Sequence, residues 1–427
     1  MTRLDNPTSE DQLGFGPYVS GIESIINNAF SDDLPFAIGV YGPWGAGKSS
    51  FMLQLKRRLE SDSMRTLWFN AWKYDSVDDV RSALIHQILQ NLKEMADGNQ
   101  DVQSRIEEFI QTATDGLLNR LRRSSVTIGA LGAGFTVPIG IENPKPDDAE
   151  FLTVVDNFAG EFKSIVDEYL TKITPNPEGN PKLVIFVDNL DRCLPDNVIS
   201  VLEALKLFLD QASCIFVIGV DRTVVERAIL ARYGTGFGDL GRDYLDKIVQ
   251  YSIAIPQARI SQLESIYGSD ASTQEIFELA ANSNPRNYHR LISAWRIVEE
   301  VAKQYGNDLD ADGEAKKLLI IATAIQVRFP RLHEVCRKSP DRFGFFFEKC
   351  GAPRSDGDQR IAQSALAYKP SWDDGSVRSF FNNCEKISQP KPTIVSTGPL
   401  FLMHSTFQRA PVDCHPPVTT AICRLIG

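Results

Sequence analysis

Residues 36–50 constrain the fold more than any other stretch. Phe36-Ala37-Ile38-Gly39-Val40 is small or apolar, with β-branched Ile38 and Val40, and reads as a short buried strand. It runs into Gly42-Pro43-Trp44-Gly45-Ala46-Gly47-Lys48-Ser49, a complete G-x-x-x-x-G-K-[ST] phosphate loop. The glycines allow positive φ and let backbone N–H groups close on phosphate oxygens. From Ser49 and Ser50 the spacing turns helical (Phe-Met-Leu-Gln-Leu-Lys-Arg-Arg-Leu), so the positive end of a helix dipole faces the phosphates. Residues Gly42 through Ser50 are therefore the expected nucleotide-binding segment. Lys48 is expected at the β/γ-phosphates and the Ser49 hydroxyl on Mg²⁺.

A strand that feeds such a loop needs neighbours. Residues 65–70 read as a second strand, and 182–187, a near-continuous apolar run ending at Asp188, read as a central parallel one. Residues 214–220 give a fourth strand and 248–255 a fifth. Helical spacing fills the intervals at 11–30, 78–94, 101–121, 149–172 and from Pro195 to about Leu209. This alternation predicts an α/β fold: three layers around a mostly parallel five-stranded sheet. Residues 1–256 form the expected core, with an insertion at about 95–175 and a disordered first ten residues. From 257 to 350 helical periodicity alone remains, which predicts a helical subdomain. Residues 351–427 are Pro/Gly-punctuated and read as an irregular C-terminal segment.

Composition removes several function classes. The 427 residues are 43% apolar and 23% charged, as in ordinary globular chains, and the net charge of −10 argues against a large nucleic-acid footprint. The polar N-terminus has no apolar h-region, so no secretory signal is read. The seven cysteines are odd in number and lack paired C-x-x-C spacing, which fits a reducing cytoplasm. Cys336, Cys350, Cys384, His404, Cys414, His415 and Cys423 are too scattered for a zinc site. Val126–Ile141 is sixteen uncharged residues, Gly-rich and broken by Pro138. A spanning helix needs about 18–20 apolar residues, so membrane contact is expected to be peripheral at most.

Hydrolysis needs a metal-organising acid and a group that orients water. Asp188, at the C-terminal end of a buried strand, is the expected acid and second Mg²⁺ ligand. Asp191 reads either as a substitute acid or as the ion-pair partner of Arg192. Arg222 follows the next strand, and Arg286 follows Asn284-Pro285 at a helix start. Either arginine could reach a γ-phosphate or serve in a surface ion pair. Trp68 and Trp72 read as core residues.

In order, these segments resemble the KAP group of P-loop NTPases, related to the STAND ATPases. The likeness is carried by Asp11…Leu13-Gly14-Phe15…Tyr18, the phosphate loop, Phe69-Asn70-Ala71-Trp72, and Asp188-Asn189-Leu190-Asp191-Arg192-Cys193. It continues through Gly219-Val220-Asp221-Arg222, Tyr244 to Gln250, and Asn284-Pro285-Arg286. The resemblance implies ATP as nucleotide, Asp188 as the Mg²⁺-organising acid and Arg286 as a sensor arginine. It also implies bacterial conflict roles such as phage exclusion. Two departures stand out. Asn189 replaces the second Asp usual in the family, and the long stretch between Lys48 and Asp188 has only Val126–Ile141 in place of the membrane spans many members insert.

Two functions follow. One is an ATPase switch that hydrolyses slowly, with Asp188, Asn189, Asp191, Arg222 and Arg286 as its catalytic group and a protein partner or second copy as its target. The other is an ATP-locked scaffold, favoured by Asn189.

Overall fold

The computed structural model describes residues 6–29, 34–75, 80–113, 146–173, 182–209, 213–233, 240–268, 271–304, 313–330 and 333–334. The apolar stretch at 126–141 and the tail cysteines and histidines lie outside these residues. The chain divides into two compact units, one of Asn6–Pro256 and one that runs from Gln257 onward.

In the first unit the strands are β1 (Phe36–Tyr41), β2 (Arg65–Asn70), β3 (Leu183–Asp188), β4 (Cys214–Val220) and β5 (Tyr251–Ala254). They form one sheet in the order β2-β3-β4-β1-β5, and every pairing is parallel. The three inner strands are buried along their whole length, as expected when helices cover both faces. The edge strand β5 is largely exposed.

Alternation along the strands feeds two cores. Phe36, Ile38, Val40, Val184, Phe186, Ile215 and Val217 face α1 (Gly16–Asn28) and α2 (Lys48–Ser61). Helix α2 buries Phe51, Met52, Leu55 and Leu59, spaced three and four apart on one stripe. Each fully buried side chain of this size contributes about 1.5–3 kcal/mol. Leu183, Ile185, Val187, Phe216 and Ile218 point the other way. There they meet α3 (Val80–Met95), α4 (Gln100–Ala113), α5 (Pro146–Ile173), α6 (Pro195–Leu209), α7 (Arg222–Tyr233) and α8 (Leu240–Ile248). In the stretch where an insertion is expected, α4 and α5 pack through Phe109 on Phe158, ring centroids 5.0 Å apart, and Arg105 pairs with Glu168.

Two local expectations change. The fifth strand starts at Tyr251, not 248, because Leu245 and Ile248 are spaced to bury one face of α8. Residues 6–10 are held rather than loose. The Thr8 N–H donates to Ser50 Oγ (3.1 Å), and Gln54 Nε2 donates to the Glu10 carbonyl (3.2 Å).

The second unit, among its described residues, is helical: α9 (Ile260–Tyr267), α10 (Ala271–Ala281), α11 (Pro285–Gln304) and α12 (Gly313–Arg328). Helix α11 buries Tyr288, Leu291, Ile292, Trp295 and Val298, again at three- and four-residue spacing.

Candidate functional site

The phosphate loop leaves the C-terminal end of β1, and β4 separates that strand from β3. A parallel sheet puts every strand's C-terminus on one edge, so the loop and the residues after β3 meet there. Gly47, at φ 106°, is the last loop residue before α2, and an L side chain is strained at that φ. A Cβ on Gly47 would also sit 3.1 Å from the Phe15 ring and 3.2 Å from Leu13. Beneath the start of α2, Gly219 of β4 lets the helix approach: a Cβ there would lie 2.4 Å from Met52 Sδ.

Ser49 Oγ donates to Asp188 Oδ1 at 3.0 Å. Asp188 is 4% exposed, and burial raises its carboxyl above the usual range, while the hydrogen bonds from Ser49 and the Asn189 N–H pull it back. Lys48 Nζ is 2.9 Å from Asp191 Oδ2, and it also donates to the carbonyls of Gly42 (2.9 Å) and Pro43 (3.3 Å). The Asp191 carboxylate in turn accepts the Asp221 N–H at 2.9 Å. The sequence leaves Asp191 between a substitute acid and a partner of Arg192; its partner here is Lys48.

Asn189 takes a left-handed backbone (φ 59°), which asparagine tolerates better than most residues. That turn aims its amide back over the strand ends. Nδ2 donates to Asp188 Oδ2 (3.1 Å) and to Asn70 Oδ1 (3.3 Å) at the end of β2. Cys193, four residues on, points its thiol at the Asn189 carbonyl, with sulfur and oxygen 3.7 Å apart. Burial, with Asp75 and Asp191 nearby, pushes that thiol up to about 12.

Arg222 is engaged elsewhere in this state. It pairs with Glu226 (2.9 Å) on its own helix and Asp246 (2.8 Å) on α8, with its guanidinium carbon 5.5 Å from the centre of the Tyr41 ring. Arg286 lies in the second unit, one residue after Pro285 opens α11.

Trp68 stacks on Phe186, ring centroids 5.5 Å apart, as expected of a core residue. Trp72 is a correction. It lies past the end of β2 in a short 3-10 turn and is 53% exposed. Asp75 fastens that turn by accepting from the Leu194 N–H (2.9 Å) and Asn197 Nδ2 (2.8 Å). The guanidinium carbon of Arg192 lies 5.1 Å from the centre of the Trp72 ring and 5.3 Å from that of Trp44, itself 58% exposed. Sequence reading places Trp44 in the nucleotide-binding segment but misses this group, because its members are far apart in the chain and nothing in the sequence pairs them.

A hydroxyl and a buried carboxylate in contact form a hard oxygen donor pair suited to Mg²⁺. Among the described residues there is no group of three or more His, Cys, Asp or Glu that could hold a metal by itself. Mg²⁺ held by one or two protein oxygens, with phosphate and water completing the set, needs none. Also among the described residues, no helix is long and apolar enough to cross a membrane.

A family sequence model, that of the KAP family P-loop domain, matches residues 15–302. An uncharacterized protein of Methanocaldococcus jannaschii is 25% identical over 171 residues, 35% of this chain and 87% of that protein. Two solved Aeropyrum pernix structures align along most of the chain. The ORC2 protein, with ADPNP and ADP, is 13% identical at TM-score 0.33, covering 97% of this chain and 94% of that one. The ORC1 protein, in complex with DNA, is 12% identical at TM-score 0.33, covering 88% and 83%.

Proposed function

Because the chain belongs to the KAP family of P-loop domains, we propose that it binds ATP on Gly42–Ser50 and acts as a slowly hydrolysing, nucleotide-dependent switch. The observation that carries this reading is the 3.0 Å hydrogen bond from Ser49 to Asp188, which joins two oxygen donors from distant parts of the sequence. Mg²⁺, held by Ser49 and Asp188, would neutralise charge on the phosphates. Lys48 shifts from Asp191 toward the β/γ-phosphates. Asn189 orients water through its amide, a task a glutamine performs in some P-loop GTPases, and offers no base. That missing base is why turnover is proposed to be slow. Asp191 remains the candidate substitute acid. Arg286 is the proposed sensor in the helical unit, and Arg222 could join only after leaving Glu226 and Asp246. We place the protein in the cytoplasm, with a protein partner or second copy as the switch's target. The proposed setting, bacterial conflict with phage, is supported by the family resemblance alone.

The second reading, an ATP-locked scaffold, is favoured by one observation: the Asn189 amide is already committed to Asp188 and Asn70. Single-turnover hydrolysis at saturating Mg²⁺-ATP separates the two. Slow hydrolysis in wild type that disappears in Asp188→Ala supports the switch; tight binding with no hydrolysis supports the scaffold. Lys48→Ala removes a charge-assisted contact of about 1.5–3 kcal/mol, so affinity should fall roughly 10- to 150-fold. Equal affinity in both proteins would sink nucleotide binding at this loop.

A further inference from the structure

Arg192 is used by neither reading above, and it follows directly after the residue that holds Lys48. Its side chain lies over Trp44, which belongs to the phosphate loop, and over Trp72, which belongs to the turn after β2. Both indoles are more than half exposed, and with Arg192 against both rings they form one surface patch. The three residues come from three separate segments, and the folded chain gathers them at one spot.

The end of the nucleotide they would face can be read from their neighbours. In a phosphate loop the lysine reaches the β/γ-phosphates. Lys48 Nζ is held by Asp191, by Gly42 and by the carbonyl of Pro43, the residue before Trp44. Trp44 and Arg192 therefore each adjoin a residue that grips the Lys48 head. The other end of the loop is already occupied: Gly47 lies against Phe15 and Leu13, and Ser50 accepts from Thr8.

Chemistry narrows the role further. A guanidinium over an indole is held through ring faces, while its N–H donors lie in its own plane. Arg192 Nε is buried and has no hydrogen-bond partner, and among the described residues no carboxylate pairs with Arg192. A cation that is held in place with an unused buried donor is a ready receptor for a compact oxyanion.

We propose that Arg192, positioned by Trp44 and Trp72, contacts the terminal phosphate of a bound nucleoside triphosphate and so distinguishes the triphosphate from the diphosphate. This rests on nucleotide binding at the loop but not on turnover. The ligand class is the γ-phosphoryl group. The indoles hold the guanidinium ready in the ligand-free protein and release part of it when the phosphate arrives.

Calorimetric titration of wild type, Arg192→Lys and Trp72→Phe with Mg²⁺-AMP-PNP and, separately, Mg²⁺-ADP tests this. Wild type should bind AMP-PNP more tightly than ADP. Arg192→Lys keeps the charge but loses the planar fork, and should cut that preference by about 10-fold while leaving ADP affinity intact. Unchanged ADP affinity also reports that the variant folds. Trp72→Phe should give a smaller loss of the same kind. AMP-PNP, and not ADP, should change the indole fluorescence of wild type. A preference unmoved in Arg192→Lys, or an equal loss for both nucleotides, overturns the proposal and makes the cluster a structural clip or a protein-docking patch. Wild type that binds neither nucleotide ends the nucleotide reading itself, a different result from a wild type that binds both with no role for Arg192.

Discussion

The two ends of the phosphate loop are built from opposite materials. Where the loop enters α2, Gly47 packs against Phe15, which is fully buried, and against Leu13. Phe15 in turn meets Phe51 edge-on, ring centroids 5.6 Å apart. At the start of the loop, where the Lys48 head reaches back to Gly42 and Pro43 and meets Asp191, the surroundings are ion pairs, side-chain amides and exposed indoles. Apolar packing has one dense arrangement and resists change. A polar network can trade partners at little cost, since each bond lost is replaced by another. One end is suited to hold a nucleotide and the other to respond to it.

The largest effect should come from breaking the rigid end. Phe15→Ala empties a fully buried site and is expected to cost about 3–5 kcal/mol of stability. Thermal unfolding should show a fall of roughly 2–4 °C per kcal/mol. A shift under about one degree would mean this wall is not what fixes Gly47.

At the responsive end, Asn189→Asp restores an acid beside Asp188. It also sets two carboxylates together where an amide now donates at 3.1 Å. We expect single-turnover hydrolysis to rise about 10²-fold, the low end for a general base, and the metal-free protein to melt lower. A variant that hydrolyses no faster but melts at the wild-type temperature would remove Asn189 from the catalytic group.

Asp191→Asn tests exchange of partners more gently. Lys48 keeps two carbonyls but loses its carboxylate, so the ligand-free fold should lose about 1–3 kcal/mol. Nucleotide then faces less competition for Lys48, and the rise in melting temperature on adding Mg²⁺-ATP should exceed that of wild type. Hydrolysis that vanishes in this variant alone would make Asp191 the base.

The smallest effect is one of pH. Burial raises the Asp188 carboxyl, so its proton competes with Mg²⁺ at a higher pH than at an ordinary carboxylate. The Mg²⁺-dependent part of ATP affinity should decline, as pH falls, already above the usual carboxylate range. The sign for stability is the reverse. Asp188's own contribution to the metal-free fold is full at acid pH and is lost as pH rises through its raised value. Magnesium dependence that holds constant through that range would place the metal elsewhere.

The sheet was legible because its strands carry their own evidence. Residues 183–187 and 214–220 are near-continuous apolar runs, the pattern of strands buried on both faces of a sheet. The phosphate loop was legible because its spacing is dictated by the shape of phosphate. The start of β5 was misjudged because Ile248 and Val249 suit a helix face as well as a strand. Trp72 was misread because exposure of an aromatic depends on where β2 stops, not on its neighbours in sequence. The pairing of Lys48 with Asp191 could not be read from the sequence. It depends on a left-handed turn at Asn189 that leaves only a weak local mark.

The buried thiol of Cys193 gives that turn a built-in clock. Alkylating reagents attack the thiolate, and a thiol pushed up to about 12 is almost wholly protonated near neutral pH. While the turn stays closed Cys193 is chemically silent; each opening that wets it exposes a reactive sulfur one residue from Arg192. The rate at which iodoacetamide marks the Cys193 peptide, followed by mass spectrometry with and without nucleotide, therefore counts how often the responsive end lets go.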